Sequence, residues 1–208
     1  MSYEPVSDGE LAAVVTYLEM LEPPSAEVPQ STLRLRRVSE PDPDQYRALF
    51  RKVGSPWLWF SRLTMADREL EAILGDPGVE LYEVAAVEPV VGMLELDFRE
   101  AGQCELAFIG LVPELAGRGH GRWLLAEALS LAWRQDKGRD GTSRVHVHTC
   151  TLDHPAALAA YRRAGFTAYK RAVERFPDPR LLGILPADCA PQVPLVGTLA
   201  SGAPSPAS

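Results

Sequence analysis

The segment Leu106–Leu125, LAFIGLVPELAGRGHGRWLL, carries the clearest chemical signal. An apolar run ends at Pro113, glycines follow at 117, 119 and 121, and an amphipathic helix pattern begins. Glycine at a strand-to-helix turn lets the backbone approach a ligand closely. The start of the helix offers unpaired N–H groups and a partial positive charge, which suit phosphate. Arg118 and Arg122 add cationic donors. The turn therefore reads as an anion cradle, against the plainer reading of an ordinary glycine-rich turn. No GK[ST] follows, so it is not a P-loop. A GxGxxG fingerprint would need glycine at 124, where Leu124 stands.

A second chemistry-bearing segment is Asp153–Phe166, DHPAALAAYRRAGF. Pro155 suits a first helical position, which puts His154 at the N-cap. Tyr161 falls near the helix end, where a packing role competes with a chemical one. Among strand residues, Glu105 leads into the glycine loop, and Glu95 and Asp97 share one face of MLELDF. All three are candidates to meet a cationic group; solvated strand positions are the alternative. Trp57, Trp59 and Phe60 in GSPWLWFSRL offer an aromatic wall or core packing. His146, His148 and Cys150 share a strand face. Without a supporting carboxylate pattern, cross-strand packing explains them as well as a metal does, and no metal is expected.

The elements that hold these residues follow from local period. Thr32–Val38 alternates as a strand and Asp42–Val53 is amphipathic. Thr64 opens TMADRELEAILG with a Thr-x-x-Asp start that resembles a capping box, and Gly75 is a natural stop. Val79–Val87 and Val90–Phe98 read as a hairpin across Glu88-Pro89. Cys104–Leu111 is a strand, Arg122–Gln135 a helix, Arg144–Thr151 a strand, Pro155–Ala164 a helix and Phe166–Phe176 a last strand. This order implies an α/β fold with a mixed sheet. In residues 10–22, Val14-Val15-Thr16-Tyr17 favours a strand, although Ser7 or Asp8 would also cap a helix. Prolines 23, 24 and 29 mark residues 1–31 as an N-terminal extension to a folded unit at 32–176. Residues 177–208 read as a proline-rich tail whose uncharged end, from Val196, is disordered.

Composition bounds the partners. The chain of 208 residues has a formal net charge of −7, which argues against nucleic acid and anionic membranes. Three cysteines without CxxC spacing argue against a disulfide framework or a cysteine zinc site. The acidic N-terminus has no apolar h-region, and no apolar run approaches the ~18 residues of a membrane helix. A soluble, cytoplasmic protein is expected.

Together, VPELAGRGHGRWLL and HPAALAAYRRAGF are similar to the two signatures of the GNAT superfamily of acetyl-CoA-dependent N-acetyltransferases. The first resembles its [QR]-x-x-G-x-[GA] pyrophosphate motif, with Ala116 where the family has Arg or Gln. The second resembles Asn-x-x-Ala-x-x-x-Tyr-x-x-x-Gly-Phe, with His154 in place of Asn. The resemblance covers roughly Thr32–Phe176. It implies a GNAT fold, a mostly antiparallel sheet splayed between the strands at 104–111 and 144–151 and flanked by helices.

The resemblance also implies a site. Acetyl-CoA is the acyl-donor substrate. Its pyrophosphate rests on Gly117, Arg118, Gly119, His120, Gly121 and Arg122, and its pantetheine runs beside Ile109–Val112. The backbone near Leu111 and Val112 polarises the thioester, His154 caps the helix beside the cofactor, and Tyr161 protonates the departing thiolate. Glu105 is the base and Glu95 and Asp97 hold the acceptor, with Trp57, Trp59 and Phe60 as acceptor-site wall. An unperturbed glutamate near pKa ~4.3 faces an ammonium near ~10.4, about six units or roughly 8 kcal/mol. Glu105 therefore needs burial, a water relay or a purely positioning role. The expected activity is direct acetyl transfer to a small primary amine in a ternary complex. The partner is that amine, with a homodimer left open. The alternatives are a non-catalytic acyl-CoA sensor and an acyltransferase for a protein or peptide amine.

Overall fold

The computed structural model describes residues 3–85, 89–135 and 141–198. In chain order these form β1 Glu10–Met20, β2 Arg34–Val38, α1 Pro43–Gly54, α2 Asp67–Leu74, β3 Val79–Ala85, β4 Val90–Asp97 and β5 Gln103–Leu111. They continue with α3 His120–Ala132, β6 Arg144–Cys150, α4 Ala157–Arg163 and β7 Thr167–Pro177. The strands make one sheet in the order β2-β3-β4-β5-β6-β1-β7. Every described neighbour pair is antiparallel except β5 and β6. The mixed sheet is the one expected from the residue patterns, and its mostly antiparallel pairing the one the resemblance implies.

The parallel contact is short. Gln103, Cys104 and Glu105 pair with Arg144, Val145 and His146, and beyond them the strands part. A V-shaped mouth opens between residues 106–111 and 147–150. One cause is visible in register. Glu95 pairs with Phe108 but Leu96 pairs with Leu106, so Ala107 is an extra residue in β5. Such a bulge bends its strand and re-aims the side chains after it.

Two cores sandwich the sheet. On one face Leu18, Leu94, Leu106 and Val147 pack with Trp123, Leu125, Ala128 and Leu129 of α3. On the other, Leu81, Met93 and Val112 pack with Tyr46, Phe50 and Val53 of α1 and Leu70 and Leu74 of α2. α1 starts where expected because Asp42 accepts the N–H groups of Asp44 and Gln45 ahead of Pro43. The capping box expected at Thr64 does not form. Thr64 Oγ1 donates to the Ser61 carbonyl, and α2 begins after Ala66 without a side-chain cap.

The expected boundaries at 31 and 177 are corrected. β1 is the strand favoured for residues 10–22, yet it is no extension: it lies inside the sheet, paired with both β6 and β7. Pro23, Pro24 and Pro29 mark the crossing from one side of the sheet to the other. After Pro177 the chain folds back rather than trailing away. The Asp178 N–H donates to the Gly9 carbonyl, and Leu185 and Ala190 are buried against Leu58. Of the expected Glu88-Pro89 turn, Glu88 lies outside the described residues. Of the expected disordered end at 196–208, residues 199–208 do, while the Val196 carbonyl accepts the Gly9 N–H at 3.0 Å. No described helix is long and apolar enough to cross a membrane.

Candidate active site

The mouth of the V gathers residues from four elements. On its α3 side, Gly117 and Gly119 take φ of +74° and +83°, where only glycine is unstrained. Gly121 has no such φ, and a Cβ on any of the three glycines would meet nothing within 4 Å. Nothing inside the protein therefore requires Gly121 to lack a side chain. No side chain caps α3; the Arg122 and Trp123 N–H groups donate to the Gly119 carbonyl at 3.1 and 3.3 Å, which leaves the His120 and Gly121 amides for a ligand or water. Arg118 and Arg122 are exposed beside them. His120 turns the other way, its Nδ1 lying 3.2 Å from Ser31 Oγ. These residues fit a phosphate-bearing ligand.

The β5 edge is next. The Val112 N–H donates to the Val91 carbonyl at 2.9 Å, and the Leu115 N–H donates to the Val112 carbonyl at 3.1 Å. The Val112 side chain is buried in the core. This corrects the expectation for Val112, whose groups serve the fold. Strand alternation then turns the Leu111 N–H to the opposite edge, towards the mouth.

On α4, Tyr161 packs on the α3-side core and meets Phe166 edge-on at 5.8 Å. Burial, reinforced by the charge of Asp153, pushes its phenol well above the ordinary value. The helix starts later than expected, after Ala156 rather than at Pro155. His154 therefore lies ahead of the cap, and no side chain caps α4. The His154 Nδ1 accepts the Ala156 N–H at 3.0 Å, and its ring meets Trp57 at 5.0 Å.

The opposite wall comes from the connection between α1 and α2. Trp59 packs with Phe50 and Phe108, and its Nε1 donates to Asp153 Oδ1 at 3.1 Å. The other oxygen of Asp153 accepts from Thr149 Oγ1 at 2.7 Å and the Cys150 N–H at 2.8 Å. Phe60 turns away to pack on Phe176 at 5.1 Å. All three aromatics are half-buried: Trp59 packs on Phe50 and Phe108, Phe60 on Phe176 and Trp57 on His154.

The acids sort by their partners. Glu95 is 0% exposed and bound at 2.5 Å by both Arg62 Nη2 and Tyr46 Oη. Burial drives the Tyr46 phenol far up, and the negative charge of Glu95 adds to this. Glu95 is therefore not a solvated strand residue waiting for a cation, because α1 covers its face of the sheet. Asp97 is clasped by Arg99, which overcomes burial and holds it below the usual carboxylate range. Both expected acceptor contacts are already spent inside the protein. Glu105 is different. It is 32% exposed, and its Oε1 lies 3.4 Å from His148 Nδ1, which is 50% exposed. His148 lowers the Glu105 pKa against the effect of burial. Glu105 in turn raises that of His148.

By sequence His148 reads as a metal ligand or as cross-strand packing; its place two residues beyond the last β5–β6 pair is set by the tertiary structure. Arg62 and Tyr46 carried no sequence signal, since their common partner is over thirty residues away from each. Among the described residues no group of three or more His, Cys, Asp or Glu side chains is placed to hold a metal.

The fold has known relatives. It matches a GCN5-related N-acetyltransferase from Sphaerobacter thermophilus at TM-score 0.55 and 21% identity, over 82% of this chain and 52% of that one. A GCN5-related N-acetyltransferase from Kribbella flavida matches at TM-score 0.50 and 16% identity, over 82% of this chain and 60% of that one. The chain thus spans about half the length of the first and three-fifths of the second. No curated protein sequence matches it. Residues 44–166, from the first turn of α1 to the end of the α4 turn, match the model of the acetyltransferase (GNAT) family. That stretch is more than half of the chain and contains the splayed strands, the glycine loop and Tyr161, so the chain belongs to the GNAT family of acetyltransferases.

Proposed function

We propose that the protein transfers an acetyl group from acetyl-CoA to the primary amine of a small molecule, by direct attack in a ternary complex. The observation that carries this reading is the glycine cradle. Gly117, Gly119 and Gly121 present backbone to open space at an uncapped helix start, beside two splayed strands. Bound there, the cofactor supplies an acetyl thioester as the electrophile.

The chain's own groups do the rest. Amides from Gly117 to Gly121 hold the pyrophosphate, helped by the Arg118 and Arg122 guanidinium groups. The Leu111 N–H stabilises charge developing on the thioester oxygen. Tyr161 keeps its proton at any working pH and offers it to the leaving sulfur. Its raised pKa favours a hydrogen bond that transfers the proton only as the sulfur gains charge. The acceptor amine enters on the Glu105 side of the mouth, under Trp57 and Trp59.

A small acceptor is favoured because the α1–α2 connection is tied to the loop after β6 by the Trp59–Asp153 hydrogen bond and the Trp57–His154 contact. These ties roof one end of the mouth. Thiol release from acetyl-CoA, followed with a panel of small amines and peptides, tests the reading. Turnover with small amines is expected. CoA binding without turnover on any amine would make the protein a sensor, and turnover on peptides alone would reassign the acceptor.

A further inference from the structure

We propose that His148 is the group that takes the proton from the acceptor's ammonium, and that Glu105 is the residue that positions it. This rests on the transferase reading above and assigns the proton path within it. The two side chains come from the two strands that part at the mouth. Glu105 belongs to the last parallel pair, Glu105 with His146, and His148 is the next residue on the same face of β6. It is thus the first β6 side chain on that face beyond the split. Its Nδ1 faces Glu105 Oε1 at 3.4 Å, which leaves Nε2 for an incoming amine.

Three other acids nearby are engaged. Asp153 accepts three hydrogen bonds, Glu95 is enclosed by Arg62 and Tyr46, and Asp97 is held by Arg99. Of the groups around the mouth, the pair at Glu105 and His148 combines solvent access with a free lone pair. The groups that face His148 are Glu105 from β5, Tyr17 from β1 at 5.9 Å between rings, Asp153 from the loop after β6, Glu174 from β7, and its own neighbour His146. Three of these are acids, and their charge favours the imidazolium that forms when the proton arrives. A carboxylate beside an imidazole is the poorer base of the two. Ordinary values leave glutamate about six units below an ammonium and histidine about four. The pairing widens the first gap and narrows the second.

The step balances simply. One ammonium proton passes to His148 Nε2 and from there to solvent. The freed nitrogen lone pair forms the C–N bond to the acetyl carbon as the C–S bond breaks. The nitrogen then loses its second excess proton to solvent. The sulfur takes a proton from Tyr161, which regains one from solvent. The net products are amide, thiol and one proton.

The test is the pH dependence of kcat/KM for thiol release, between about pH 5.5 and 9. A neutral imidazole is needed, and its pKa is raised, so the wild-type acidic limb should fall above the ordinary ~6.5. His148→Gln should remove that limb and lower kcat/KM at least about 10²-fold for an amine of ordinary basicity. The loss should shrink for an amine that is already neutral at the working pH. Glu105→Gln should keep a limb but move it down, because the imidazole loses its carboxylate. His146→Gln should leave the limb in place. The imidazole titration of His148 by NMR, with and without Glu105→Gln, gives the same shift without any acceptor. A limb that survives in His148→Gln, or a His148 titration that ignores Glu105→Gln, overturns this assignment alone. Absence of thiol release by the wild type on every amine overturns the transferase reading and this assignment with it.

Discussion

Gly119 and Gly121 lack side chains for different reasons. Gly119, at φ +83°, is the N-cap of α3 in a left-handed conformation, so a side chain there is strained whatever the space. Gly121 is an ordinary first-turn residue with open space where its Cβ would be. A valine has a helix propensity no worse than glycine's. Gly121→Val should therefore leave the thermal midpoint unchanged or slightly raised, yet weaken CoA binding at least tenfold by calorimetry. Gly119→Val should lose both, at a cost of roughly 1–2 kcal/mol or more in stability. Normal CoA affinity in Gly121→Val would move the phosphate site away from this loop.

The connection between α1 and α2 owes its position to one buried cluster. Arg62 reaches from that connection to Glu95 on β4, and Tyr46 of α1 binds the other carboxylate oxygen. The guanidinium also lies over Phe108, 5.2 Å from the ring centre, so the cluster sits under the aromatic wall. Burial opposes the Arg62 charge, but Glu95 outweighs it and raises the pKa. Glu95→Gln would leave Arg62 charged and uncompensated in the core. A loss of about 3–5 kcal/mol is expected on that ground. Tyr46→Phe should cost less, about 1–3 kcal/mol, because it leaves one carboxylate oxygen without its donor. Urea denaturation of the two variants measures the difference. Equal small losses would mean that the connection is held by its apolar contacts alone.

Segments outside the family match also build the fold. β1 fills the place between β6 and β7, and residues 178–198 fold back over the wall made by Leu58 and Phe60. Asp178 and Arg180 pin this return. Both side chains are 2% exposed and 2.7 Å apart, and Arg180 also donates to the carbonyls of Cys189, Ala190 and Val193. Arg180→Ala should cost about 3–5 kcal/mol, since it leaves Asp178 buried without its partner. It should also open residues 178–198 to limited proteolysis before the sheet unfolds. Resistance equal to the wild type would show that the return holds without the ion pair.

The order of helices and strands, the glycine turn and the Tyr161 helix were legible because each depends on neighbours within a few residues. Alternation marks Thr32–Val38, glycine marks the end of α4, and three glycines before an amphipathic run mark a strand-to-helix turn. Alternation also put Glu95 and Asp97 on one face, but it cannot say which face a helix will cover. That choice belongs to Tyr46 and Arg62, far along the chain, and it turned an expected acceptor contact into a core ion pair. The tertiary structure likewise placed β1 within the sheet, spent the Val112 amide on Val91, and set His148 beside Glu105. Burial and pairing are properties of segments brought together from distant positions, whereas periodicity and turn chemistry are properties of the segment itself.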